Sequence, residues 1–281
     1  MTEVSVDEIT LVNPKLTSDS RLVILLGSPE GIKGASKKLI SLFGVKKVRK
    51  GLFIVQGYSE SLEDIVHPQP FVSFTKTREI PSTRIKLEDR YELSTRVFSV
   101  VSFSYSNPTA QQKKHVERLI KKSTGIRLRP GTILFPLLRA KEQRRVLGSE
   151  DERVLIDSKD FSRLIRENGG TALRWSRLRI INLDGGDLLK HAFEQTLSRD
   201  LIPLEEKIRA LRDMSRDTTA PIAHLKKNYT ILSRRFRELK TKWMTARKLW
   251  FYDAEKDLKR TYNMLINTRR AIVSEEARRA Q

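Results

Sequence analysis

The sequence predicts an α+β fold: two βαββαβ units in tandem, followed by a long helical hairpin or coiled coil. Three observations carry this expectation. A strand–helix–glycine–hairpin pattern occurs twice, with Gly44 of the first copy matching Gly125 of the second. In each copy the apolar residues come in short β-branched or aromatic runs closed by Gly or Pro. In the last third, apolar residues recur at helical spacing instead.

The first copy opens at Arg21 to Gly27 (RLVILLG), an apolar run closed by Gly-Ser-Pro that reads as a buried strand. Ser28 and Pro29 suit an N-cap and first helical position, predicting a helix from Glu30 to Phe43 that Gly44 stops. Val45 to Val55 reads as a hairpin turning at Arg49-Lys50-Gly51. A short helix (60–66) and a last strand (71–75) complete the unit.

The second copy repeats the order. Arg96 to Tyr105 is a strand, and Asn107-Pro108 starts a basic helix from Thr109 to Lys122. GIRLRPGTILF then matches GVKKVRKGLFIV, with Pro130-Gly131 standing in for Lys50-Gly51. After an insertion at Leu138 to Arg153 come a helix (159–168) and a strand (171–181). Strand, helix, hairpin, helix, strand is the split βαβ plan of a ferredoxin-like fold. The boundaries expected are an N-terminal segment (1–20), two ferredoxin-like units (21–95 and 96–184) and a helical region (185–281).

In that helical region, Leu189, Phe193, Leu197, Leu201, Leu204, Ile208 and Leu211 mark a first amphipathic segment, which Pro203 is expected to break or restart. From Pro221 onward, Ile222, Leu225, Tyr229, Leu232, Phe236, Leu239, Trp243, Ala246 and Trp250 step alternately by three and four, an a/d heptad pattern. The frame shifts by one at Phe251, as at a stutter or a change of packing partner. With no Gly or Pro after Pro221, one helix of roughly 50–60 residues and ~80 Å is expected. Such a helix outreaches the segment before it, so either a partner chain or the globular repeats must cover the rest; homo-oligomerisation through the C-terminal helices is the favoured expectation.

The chain has 281 residues, with 55 Lys+Arg against 34 Asp+Glu and a formal charge of +21. That charge is concentrated: residues 21–148 carry +15 and 222–281 carry +10, while 1–20 carry −3 and 149–221 carry −1. Concentrated positive charge selects phosphate-rich partners. An anionic membrane surface is disfavoured, because neither basic region pairs its charge with an exposed apolar stripe. The absence of cysteine excludes disulfides, thiolate metal sites and cysteine nucleophiles. No run approaches the ~20 apolar residues of a membrane span, and the acidic start MTEVSVDEIT has no apolar h-region, which suggests a cytoplasmic protein, nucleoid-associated in a prokaryote.

Two constellations are candidates for phosphate contact. With Ile222 at an a position, Lys226, Lys227, Arg234, Arg235, Lys240, Lys242, Arg247 and Lys248 fall at e, f and g, and only Glu238 is acidic between Ile222 and Trp250. The alternative is a solvated coiled-coil face, which ordinarily mixes Glu with Lys. The second constellation is the pair of hairpin turns: Lys46, Lys47, Arg49 and Lys50 correspond to Arg127 and Arg129, and both helices add Lys37, Lys38, Lys113, Lys114, Lys121 and Lys122. Edge-strand protection is the competing reading there. Arg144 and Arg145 in the insertion complete the set.

Other chemistry finds little support. Gly27 to Gly34 lacks both GxxxxGK[ST] and GxGxxG, and Pro29 removes an N–H, so a tight turn is the better reading. His67, His115, His191 and His224 stand singly, and Asp157, Asp160, Asp184 and Asp187 flank helix starts, where acids cap. No metal, cofactor or catalytic residue is assigned. Trp175, Trp243 and Trp250 suit core positions better than base stacking.

The strand–helix–Gly–hairpin pattern, with an apolar strand following a basic turn, resembles the small ferredoxin-like modules of the CRISPR spacer-acquisition nuclease family and of PaaX and ChrB regulators. The resemblance covers residues 21–181 as two copies. It implies a module that grips duplex DNA as a dimer, here as a single-chain pseudo-dimer. Active members of that nuclease family carry an acidic residue at the end of the first strand, where this chain has Leu26-Gly27-Ser28 and Ser104-Tyr105-Ser106. The sequence therefore points to a non-enzymatic nucleic-acid-binding protein, duplex DNA favoured over RNA. A metal-dependent nuclease or integration-complex subunit and an RNA- or ribosome-associated factor are the alternatives.

Overall fold

The computed structural model describes residues 14–42, 44–57, 62–80, 95–147, 155–217, 219–250 and 253–280. The N-terminal segment before residue 14, the end of the insertion (148–154), Phe251, and the side chains of Arg145, Lys248 and Trp250 lie outside the described residues.

The fold is mixed α and β: an eight-stranded antiparallel sheet with helices on it and a long C-terminal helical region. The first half runs β1 (Ser20–Leu25), α1 (Pro29–Ile40), β2 (Val45–Arg49), β3 (Leu52–Gln56), α2 (Leu62–Val66) and β4 (Phe71–Lys76). The second runs β5 (Phe98–Ser104), α3 (Ala110–Lys121), β6 (Ile126–Arg129), β7 (Thr132–Pro136), α4 (Ala140–Leu147), α5 (Ser158–Glu167) and β8 (Thr171–Ile180). Ser28 caps α1 by accepting from the Gly31 N–H, and Thr109 forms a reciprocal capping box with Gln112 on α3. Asp157 caps α5, its Oδ1 accepting from the N–H groups of Lys159 at 2.7 Å and Asp160 at 3.0 Å. Helix α4 occupies part of the insertion.

The strand order is β2-β3-β1-β4-β8-β5-β7-β6, one continuous sheet. Its two halves join at β4 and β8, where Phe74 pairs with Ile180 and Lys76 with Leu178. Strand β8 serves both halves: Thr171 to Ser176 and Leu178 pair with β5, Arg177 bulges out between them at a φ of 59°, and Leu178 to Ile180 pair with β4. The Asn182 side chain prolongs the junction, accepting from the Ser73 N–H and donating to the Phe71 carbonyl, each at 2.9 Å.

Alternation along the strands sends apolar side chains to both faces. On one face Val23, Leu25, Phe53 and Val55 meet Ile32, Ala35 and Leu39 of α1, while Val101, Ile133 and Phe135 meet Val116, Leu119, Phe161 and Ile165 of α3 and α5. On the other, Leu22, Ile24, Ile54, Phe74, Val100, Leu134 and Trp175 share a core with the C-terminal helices.

That region consists of α6 (Gly185–Met214), α7 (Ile222–Trp250) and α8 (Glu255–Arg279), each in contact with the other two. It departs from expectation in three ways. Pro203 lies inside an unbroken α6, where Leu201 and Leu204 beside it are both buried, so packing holds the helix through the lost hydrogen bond. The single 50–60-residue helix is two, α7 and α8, and the frame shift after Trp250 marks their connection, with Asp253 Oδ1 accepting from the Glu255 N–H at 2.9 Å to start α8. The seam of Leu225, Leu232, Phe236, Leu239, Trp243 and Ala246 is buried in the chain's own core, so those residues are not an exposed oligomer interface. Helix α6 also reaches β4 and β6, tying the bundle to the sheet.

Candidate nucleic-acid interface

Both hairpins carry the same irregularity one residue before the turn. The β2–β3 register shifts between Lys47 and Arg49, and the β6–β7 register shifts between Arg127 and Arg129. The extra residues, Val48 and Leu128, are partly buried against the core. A bulge re-aims the side chain that follows it. Arg49 and Arg129 consequently reach across the molecule rather than along their own strands.

The sheet coils so far that the tips of its two outermost hairpins meet. Arg49 Nη2 donates to Thr171 Oγ1 at 2.8 Å, at the start of β8 in the other half. In the opposite direction Arg129 Nη1 donates to the Leu25 carbonyl at 3.2 Å, at the end of β1. Its guanidinium also lies against Gly51, at the tip of the facing hairpin. These partners are a hydroxyl and a carbonyl, which orient a guanidinium without neutralising it. Burial pushes both guanidiniums below their ordinary pKa, with no carboxylate raising either one, and Arg49 Nη1 is buried without a hydrogen-bond partner among the described residues.

Between the tips lies a cleft of about 760 Å³ whose walls include both arginines, Lys50, Ile32, Phe103 and Ser104, and no carboxylate. A groove of about 480 Å³ adjoins it, sharing Pro29, Ile32 and Lys50, and is lined further by Lys33, Lys37, Lys47 and Glu30. Cleft and groove together form a continuous basic face that runs from α1 across the β2–β3 turn to the β6–β7 turn.

The remaining sequence-derived candidates divide by environment. Lys46, Lys113, Lys114, Lys121, Lys122 and Arg144 are exposed. Arg127 is half-buried and paired with Glu117 at 2.7 Å. On α7, Lys227, Arg234 and Lys240 are exposed with no ionic partner among the described residues, and Arg235 is partly buried. Lys226 pairs with Glu276 at 2.5 Å, and Arg247 with Glu255 at 2.7 Å. Lys242 is withdrawn from the candidate surface: its side chain is 5% exposed and its Nζ lies 2.7 Å from Asp200 Oδ2. The heptad places Lys242 at a g position, beside the seam of a two-stranded coiled coil where its head group stays in water, but α7 is flanked by two helices, and α6 occupies that side.

Lys33 and Thr171 belong to the site and were not singled out from the sequence. Lys33 stands four residues before Lys37 on α1, a spacing that shares one helix face. Thr171 has no local signal, because its role depends on a hairpin tip 122 residues away in sequence.

Among the described residues, no three His, Asp or Glu side chains are grouped to hold a metal ion, and no helix is long and apolar enough to cross a membrane. Comparison with protein-family models, with curated proteins and with solved structures finds no match.

Proposed function

We propose that the chain is a nucleic-acid-binding protein, with duplex DNA as its foremost partner, built on two ferredoxin-like units joined edge to edge as a single-chain pseudo-dimer. The unit reading is supported by strand order, β2-β3-β1-β4 in one half and β6-β7-β5-β8 in the other, the same permutation of corresponding strands. Shared detail supports it too: Leu25 N–H donates to the Gly51 carbonyl at 2.9 Å, and Phe103 N–H to the Gly131 carbonyl at 2.8 Å.

The observation that carries the function is the basic face itself. Arg49, Arg129, Lys33, Lys37, Lys47 and Lys50 converge on adjoining concavities in which Glu30 is the one acidic lining residue among those described. Edge protection accounts for isolated lysines on β2, but not for two guanidiniums held between halves without carboxylates. Phosphate oxygens are the natural counter-charge, since guanidinium forks and ammonium groups bind them without reading sequence.

The test is duplex binding by a Lys33→Glu, Lys37→Glu, Lys47→Glu, Lys50→Glu variant. All four side chains are at the surface, so folding is retained, and affinity is expected to drop by a factor of roughly one hundred or more at low salt. Unchanged affinity in a folded variant would remove this face from the proposal. Double-stranded RNA as competitor separates the DNA reading from the RNA-associated one.

A further inference from the structure

The Arg49–Arg129 cleft differs in kind from the lysine face beside it. The lysines are exposed, and their Nζ groups follow a mobile backbone of phosphates at low cost. The two guanidiniums are each half-buried, anchored from opposite halves by Thr171 and Leu25, and aimed into one cleft with no carboxylate in its walls. Arg49 Nη1 is buried with no partner among the described residues, so part of a cationic fork is desolvated and unsatisfied in the free protein.

We propose that this cleft binds a terminal phosphate carried on a nucleoside, with Arg49 and Arg129 as the two prongs holding it. Three features favour a phosphomonoester over the diesters of a continuous duplex. A phosphomonoester carries about −1.5 to −2 charges near neutral pH, which suits two cations facing one point, whereas each diester carries a single charge. The cleft lies where the two hairpin tips meet, lined by Arg49 and Lys50 from one and by Arg129, Pro130 and Gly131 from the other, so cations from both tips face one cavity. Its volume of about 760 Å³ falls within the ~300–1,000 Å³ range of small-molecule sites. Partly buried Phe103 lines the same cleft and offers apolar surface to a nucleoside.

The inference rests on the nucleic-acid reading, since a strand end is one source of such a phosphate and a free nucleotide is the other. Titration calorimetry with adenosine 5′-monophosphate and with adenosine, and fluorescence anisotropy with a single strand bearing either a 5′-phosphate or a 5′-hydroxyl, distinguish the two. Adenosine 5′-monophosphate is expected to bind at one site and adenosine not to bind detectably. Preference for the phosphorylated over the hydroxyl strand assigns the ligand to strand ends. Nucleotide binding without that preference assigns it to free nucleotides, and either result supports the site.

Arg49→Gln and Arg129→Gln are each expected to weaken nucleotide binding roughly tenfold or more, and Arg49→Lys to lose part of it, because charge is kept while the fork is lost. Should Arg129→Gln fail to fold, the two Arg49 variants carry the comparison. A blunt duplex without 5′-phosphates is measured beside them and is expected to lose affinity by a smaller factor than the nucleotide does, since the four lysines of the face remain. The proposal is overturned if the nucleotide does not bind, or if folded Arg49 variants bind it as the parent does. Failure of duplex binding in the parent protein is a different result, and it would instead overturn the broader reading.

Discussion

Lys242 Nζ lies 2.7 Å from Asp200 Oδ2, with the two side chains 5% and 9% exposed. The Trp243 indole N–H donates to the same oxygen at 3.2 Å. One carboxylate of α6 thus holds two successive residues of α7, which fixes their rotation and register where the seam residues are already buried. Removing one partner strands the other charge. Asp200→Ala is expected to destabilise the fold by about 3–5 kcal/mol, whereas Asp200→Leu with Lys242→Met recovers most of that loss. Thermal melts of the single and double variants check this. Equal stability of Asp200→Ala and the parent would mean the pair is solvated.

The hairpin tips differ in what a new methyl group would meet. Gly51 and Gly131 both have left-handed backbones, at φ 64° and 72°, so Ala at either is strained by about 1 kcal/mol. At Gly131 the Cβ would approach the Phe103 carbonyl oxygen at 2.8 Å, and backbone cannot step aside. At Gly51 it would meet the far end of the Arg129 side chain, which can move. Gly131→Ala is therefore expected to lower the Tm more than Gly51→Ala. The Gly51 variant should instead displace Arg129 and weaken anion binding, so denaturation and nucleotide titration would move in opposite rank order.

Glu275 closes the far end of the bundle. Its carboxylate accepts from Arg278 Nε and Nη2 and from Arg279 Nε, all at 2.8 Å, and Arg279 continues to the carbonyls of Ala220 and Asp217 in the α6–α7 connection. The Arg278 and Arg279 hydrogen bonds hold the Glu275 pKa down to about 2. Because the folded value is depressed, its stabilising contribution is complete above the ordinary carboxylate range and is lost as pH falls from there through about 2. Glu275→Gln is expected to lower stability near neutral pH and to flatten the acid limb of a Tm-against-pH curve. An acid limb unchanged by the substitution would contradict this assignment.

Much of this architecture is legible in the sequence because the strands are short apolar runs closed by Gly or Pro. Gly44 and Gly125 mark the matching stops, and the matched Arg49-Lys50-Gly51 and Arg129-Pro130-Gly131 turns locate both arginines of the cleft. Pairings between distant segments are not legible. Nothing near Phe74 or Ile180 announces that β4 and β8 merge two half-sheets, or that coiling brings Arg129 onto Leu25. Lys242 shows the same limit on the helices: heptad position forecasts exposure for a pair of helices, and Asp200, 42 residues earlier, reverses it. The break before α8 has a local signal in Asp253, whose carboxylate accepts from the Glu255 N–H, although no Gly or Pro marks it.

Helix α7 offers a separate trial of the electrostatic account. Lys227→Glu, Arg234→Glu and Lys240→Glu change exposed side chains with no ionic partner among the described residues, leaving Lys242 and the buried seam intact. Folding and molar mass in light scattering should be unchanged. Duplex affinity should fall roughly tenfold or more if this face contacts phosphates. Unchanged affinity would confine nucleic-acid contact to the hairpin face.

The central claim, an electrostatic grip on nucleic acid, is tested most directly by the dependence of duplex DNA affinity on salt. Plots of log K against log[salt] are expected to be linear and steep, with a slope of about −0.9 for each phosphate contacted. The slope should be the same for unrelated sequences, and shallower for the Lys33, Lys37, Lys47, Lys50 variant. A flat dependence, or an affinity that the four substitutions leave unaltered at every salt concentration, would contradict it.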